Sequence, residues 1–129
     1  MRTSTAKKKK YYKVLSAEGR APIRHDVWSL PVADFWAEAK PGMWHTVTGK
    51  IVPCRNGLHV VATPRAIAYW LGRIDRRLFA CDVRGEVIQH GRGVDLKYAC
   101  RTVRLTHEVT RGSAEWKKAL RGTSAENWS

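Results

Sequence analysis

Residues 54–72, CRNGLHVVATPRAIAYWLG, leave the backbone fewer options than any other stretch of the chain. Asn56-Gly57 is a turn pair, because both residue types tolerate the positive φ of a tight reversal. Leu58 to Ala62 then reads as a short strand. Thr63 can cap a helix with its hydroxyl, and Pro64 falls at the first helical position, where no N–H is needed. Arg65 to Leu71 forms that helix, with Ile67, Trp70 and Leu71 on one face, and Gly72 suits its end. A strand feeding straight into a capped helix fixes one supersecondary unit against which the rest must pack.

The flanking sequence supplies more strands than helices. YYKVLSA, from Tyr11, is rich in strand formers and closes at Glu18-Gly19-Arg20. Residues 21–30 show no period between Pro22 and Pro31, and VADFWAEAK (32–40) fits a short helix ended by Pro41-Gly42. MWHTVTGKIV alternates as a strand that turns at Gly49. Arg77 to Val83 and Glu86 to His90 are expected to be two strands joined at Arg84-Gly85, with Gly91-Arg92-Gly93 a loop beyond them. Ala99 to Val109 is a further strand, and Ser113 caps a short amphipathic helix to Leu120. No proline follows Pro64, which suits a continuous sheet in the second half. Strands that cluster rather than alternate with helices predict an α+β fold. The expected sheet is mainly antiparallel or mixed, with about five or six strands and two or three short helices. Residues 1–10 are expected to be a disordered basic arm, 11–121 a single globular domain and 122–129 a frayed tail.

Size and composition agree with one domain. A chain of 129 residues with 43% apolar residues can bury a core without staples. Of the six tryptophans, the middle ones are expected in that core. Cys54, Cys81 and Cys100 are odd in number and widely spaced, which makes a poor disulfide framework and suits a reducing cytoplasm. No apolar run is long enough to span a bilayer, and the basic leader has no apolar segment behind it, so neither a membrane segment nor a secretory signal is expected.

Charge is the other constraint. The formal net charge is +13, and both halves of the chain contribute to it. Such a surplus repels itself unless a polyanion relieves it, so nucleic acid or an acidic host protein is the expected partner. Lys7, Lys8, Lys9 and Lys10 would contact phosphates from the arm. Arg73, Arg76, Arg77, Arg101 and Arg104, near the central helix and on the late strand, would do so from the folded body. Tyr11, Tyr12 and Trp44 would stack on unpaired bases if exposed.

Catalytic and metal chemistry have less behind them. Cys54 and His59 flank the Asn56-Gly57 turn, but neither Cys81 nor Cys100 has a second Cys or His close by, so no metal site is expected and the cysteines read as buried apolar residues. Gly91-Arg92-Gly93 matches no nucleotide-binding loop. His45, His59, His90 and His107 lie on or beside strands, where a histidine is more often a structural hydrogen-bonder than a catalyst.

The pieces Trp44 to Gly49, Cys54-Arg55-Asn56-Gly57-Leu58-His59, Ala66 to Trp70 and Phe79 to Val87 resemble a family of small phage and prophage proteins. Members carry a Cys-x-x-Gly-(Phe or Leu)-His turn after a strand and before an aromatic-rich helix. The likeness covers residues 40–110 and implies a phage-encoded protein working in the host cytoplasm, with no activity to carry over. A second resemblance, of Gly57-Leu58-His59-Val60 with Thr63, Ala66 and Tyr69, is to ADP-ribosyltransferase folds. It implies NAD as cosubstrate, with His45, His59 and Tyr69 at the site and Glu86 or Glu108 as the acid. The leading expectation is a non-enzymatic accessory protein without a cofactor that binds nucleic acid, or a nucleic-acid-handling host complex, through a basic surface. The transferase and an inhibitor of an acidic host protein are its alternatives.

Overall fold

The computed structural model describes residues 9–15, 41–72 and 76–128. The expected helix at 32–40 and the residues Lys7, Lys8, Trp28, Trp36 and Arg73 lie outside them. In chain order the elements are β1 (Tyr11–Leu15), β2 (Trp44–Thr46), β3 (Leu58–Val60), α1 (Pro64–Leu71), β4 (Arg77–His90), β5 (Lys97–Val109) and α2 (Ala114–Ala119). Short 3-10 turns at Gly93–Asp95 and Ser124–Asn127 complete the set. This is an α+β domain built on a five-stranded antiparallel sheet.

Local chemistry explains the helices. Thr63 Oγ1 accepts from the Ala66 N–H at 3.3 Å, Pro64 opens α1, and Gly72 closes it with φ +37° and its N–H on the Ala68 carbonyl. Ser113 caps α2 in the same way, through the Trp116 N–H.

The sheet departs from expectation in an instructive way. Arg77 to His90 is one strand, not two strands joined at Arg84-Gly85. Arg84 faces Thr102 and Val87 faces Cys100, so Gly85 and Glu86 together oppose Arg101 alone. Gly85 has φ +81°, and it forms a bulge rather than a turn. A second bulge on β5 places Thr106 between the pairs Ala80–His107 and Cys81–Leu105. Bulges bend the strands that carry them. The reversal to β5 comes later, at Gly91, where an added Cβ would collide with the Asp95 carbonyl.

Bending lets the sheet roll up. β4 lies between β1 and β5, and the far edge of β5 carries β3 on residues 98–100 and β2 on 102–104. Tyr12 and Val61 then exchange both backbone hydrogen bonds, at 2.7 and 2.9 Å, which ties β1 to the residue after β3. The ring so formed encloses Leu15, Leu58, Val60, Phe79, Cys81, Cys100, Val103 and Leu105. Outside it, α1, α2 and the last turn cover Tyr12, Val14 and Leu78 with Ile67, Leu71, Trp116 and Leu120.

Residues 122–128 pack back onto the domain. Ala125 is buried, its carbonyl accepts from Trp116 Nε1 at 2.8 Å, and Trp128 packs on the Trp116 ring. The buried indole needs an acceptor, and the tail provides it. Tryptophan burial is also narrower than expected. Of the four that are described, Trp116 is fully buried, whereas Trp44, Trp70 and Trp128 are half-buried.

Candidate functional site

Hollows formed by the described residues lie on or beside the ring. One is a groove of about 520 Å³ lined by Lys9, Tyr11, Trp44, Cys81, Asp82, Val83, Arg84 and Arg104. Its geometry follows from strand register. Trp44 pairs with Arg104, which pairs with Asp82, so these side chains share one face of β2, β5 and β4. Arg84, two residues from Asp82, projects from the same face. The Arg84 guanidinium lies 3.9 Å from the centroid of the Trp44 ring, and that of Arg104 lies 4.6 Å from it. Arg104 also bonds Asp82 at 2.6 Å. Arg84 has no carboxylate partner among the described residues. Lys9 closes one end, its Nζ on the Tyr98 hydroxyl at 2.9 Å and 4.7 Å from that ring's centroid. Arginine stacking of this kind fixes the guanidinium plane while leaving its N–H edge able to bond an anion.

A neighbouring groove of about 310 Å³ includes Lys9, Lys10, Thr106, His107 and Glu115. The β5 bulge brings Thr106 Oγ1 within 3.0 Å of His107 Nδ1, and His107 Nε2 reaches Glu115 at 2.8 Å. This hydroxyl–imidazole–carboxylate series looks like nucleophile chemistry. Thr106, however, donates its proton to the Ala80 carbonyl at 3.1 Å, so the chain of bonds staples α2 to the sheet.

The third hollow is a cavity of about 30 Å³ between β1 and β3, walled by Lys13, His59, Trp70 and Lys97 among others. His59 Nε2 accepts from the Cys54 N–H at 2.8 Å, and its ring bonds the Gly57 carbonyl. Burial, aided by the charges of Lys13 and Lys97, pushes its pKa down to about 3. A ring held by backbone on both nitrogens and resistant to protonation is a structural pin for the turn. It is not a proton shuttle.

The basic residues singled out from sequence are distributed as follows. Arg77 forms a two-pronged pair with Glu108 at 2.8 and 2.9 Å. Arg101 bonds Glu86 at 2.9 Å and the carbonyls of Val47 and Gly49. Arg104 is held by Asp82, and Arg76 bonds the Trp70 carbonyl at 2.5 Å. These arginines brace the sheet and its loops. Lys9 and Lys10 line the grooves, and Arg84, missed in the sequence, joins them. Its signal was present: it stands two residues from Asp82 on a strand, but its partner Trp44 is far away in the chain. Of the stacking candidates, Tyr12 is buried, Tyr11 packs edge-on against Tyr98, and Trp44 is in the groove.

The residues implied by the transferase likeness do not come together in any of the hollows described above. His45 is buried, Tyr69 is exposed on α1, and Glu86 is exposed and paired with Arg101. The cavity lined by His59 takes in none of them. Glu108 is occupied by Arg77, which holds its carboxyl below the usual range. Among the cysteines, burial pushes the Cys100 thiol up to about 12 and Cys81 higher still, so both are held as unreactive thiols. Cys54 meets His59 through its backbone N–H. Among the described residues, no three His, Cys, Asp or Glu side chains gather as metal ligands, and no helix is long and apolar enough to cross a membrane. Comparisons with protein-family models, with curated proteins and with solved structures find no match to this chain.

Proposed function

We propose that the protein binds nucleic acid along the groove floored by Trp44 and flanked by Lys9 and Arg84. One observation carries this reading: the groove pairs uncompensated cations with aromatic surface. Its carboxylate, Asp82, is already taken up by Arg104. The other described carboxylates are engaged as well. Glu86, Asp95, Glu108 and Glu115 face Arg101, Lys97, Arg77 and His107, and Glu126 accepts from the Gly122 N–H. Among the described residues Lys9 and Arg84 are therefore left with no unengaged carboxylate to meet, and a phosphate backbone would supply an anionic partner.

In this reading Lys9, Lys10 and Arg84 contact phosphates, and Trp44 with Tyr11 gives a π surface to an unpaired base. Arg77 and Arg101 act as braces and contribute little directly. The likeness around Cys54–His59 suggests a phage-encoded accessory role for such a binder.

Fluorescence anisotropy with random single- and double-stranded DNA and RNA, at several salt concentrations, tests the proposal. Affinity should fall steeply with salt, with a log–log slope of about 0.7 to 0.9 per phosphate neutralised. Arg84→Glu and Lys9→Glu should each weaken binding to every sequence, while Arg77→Gln should leave it nearly unchanged. Absence of binding at low salt would overturn the proposal, as would capture only by an acidic protein after nuclease treatment.

A further inference from the structure

The groove of Trp44 and the groove of His107 adjoin. Lys9, Tyr11, Cys81 and Asp82 line both, so the two form one track over β4 and β5. Strand register sets its length. Trp44 stands opposite Arg104, and His107 lies three residues beyond Arg104 on β5, about 10 Å farther along the strand.

The two ends of the track offer the same kind of surface. At one end the Arg84 guanidinium lies 3.9 Å from the Trp44 ring centroid, which makes a planar stack. At the other, the β5 bulge turns His107 outward, and its side chain is 53% exposed while Leu105 is buried. Both imidazole nitrogens are occupied, Nδ1 by the Thr106 hydroxyl at 3.0 Å and Nε2 by Glu115 at 2.8 Å. Those bonds fix the plane of the ring and leave its face, rather than its nitrogens, for a ligand. A histidine face stacks on unpaired bases as tyrosine and tryptophan do. Lys9 and Lys10 line the track between the ends. Its described carboxylates, Asp82 and Glu115, are bonded to Arg104 and His107.

We propose that the track holds one single strand of nucleic acid, which stacks one base on the Trp44–Arg84 pair and another on His107, with the phosphates between them on Lys9 and Lys10. This rests on the nucleic-acid reading above and adds to it a second stacking residue, a strand preference and a length. At about 3.4 Å per nucleotide of a stacked strand, about four nucleotides reach from one platform to the other. A duplex keeps its base faces inside its own stack and can engage only the cationic side chains.

Dithymidylate, hexathymidylate and a hairpin duplex are titrated into the full chain at low salt and followed by NMR chemical shifts, which read weak affinities. Hexathymidylate should bind more tightly than the hairpin and should move the His107 ring protons upfield. The variants are made in a Glu115→Gln background, which removes the carboxylate that loss of the imidazole would free. There His107→Ala should weaken hexathymidylate roughly five- to hundredfold and leave dithymidylate, which fits on the Trp44 platform, unchanged. His107→Phe, which keeps a flat ring, should retain the affinity for hexathymidylate. Melting curves check that each variant folds, and the ring-proton shift is read on the unaltered chain. Equal losses for both oligomers, no loss for either, Phe no better than Ala, unmoved His107 protons, or a hairpin bound as tightly as hexathymidylate would each overturn the track and leave the nucleic-acid reading standing. No binding of any of the three ligands removes both.

Discussion

His59 and Lys13 line the same cavity between β1 and β3, and each resists the charge it would carry in water. For His59 the cause is burial first, then repulsion from Lys13 and Lys97, and the pKa falls to about 3. The native state therefore refuses a proton that the unfolded chain accepts below about pH 6.5. Stability is complete above that pH and is lost as pH falls toward 3, by on the order of 4 kcal/mol. Urea unfolding at pH 7, 5 and 4 measures the loss. His59→Phe should flatten it, and at pH 7 should cost about 1 to 3 kcal/mol by stranding the Cys54 N–H. Lys13 behaves in the opposite window, since burial lowers its pKa to about 8 against 10.5 for the free side chain. Between those values the unfolded chain holds a proton that the native state has released. Stability is flat below pH 8 and climbs toward pH 10.5 by up to about 3 kcal/mol, a rise that Lys13→Met should remove from alkaline denaturation curves.

Among the elements, α1 and α2 were legible because capping is a local event. Thr63, Pro64, Gly72 and Ser113 act within four residues of the atoms they satisfy. β4 was misread for the converse reason. Gly85 carries the same positive φ in a bulge as in a turn, and only its partner Arg101 on the next strand tells the two apart. The contacts of the tail are not legible locally because they answer a distant need, the acceptor that buried Trp116 requires. Ending the chain at Arg121 removes that acceptor along with Ala125 and Trp128. The expected loss is at least about 1 to 3 kcal/mol from the stranded indole alone, readable as an earlier denaturant midpoint. Trp116→Ala should cost more, about 3 to 5 kcal/mol, because it also leaves a cavity between α2 and the sheet.

At the scale of the whole molecule, closure of the ring and distribution of charge decide how it behaves. If Tyr12 and Val61 close the ring, hydrogen exchange should show the Val61 amide protected as strongly as those of β4 and β5, rather than fraying as at an open edge. For the charge, Arg84→Glu should lower the salt slope of nucleic-acid binding by about 1, whereas the braced Arg77 should not change it. The sequence by itself determined the α+β class, both capped helices and the net charge, because propensity, capping and composition act through neighbouring residues or simple addition. Tertiary structure alone decided which cations among the described residues remain without a carboxylate partner. Glu108 reaches Arg77, Asp82 reaches Arg104, and Arg84 comes to rest on Trp44 only after bulged strands roll into a ring. Those partners lie tens of residues apart, and the register that brings them together is set by the collective packing of the core, which no local stretch of the chain encodes.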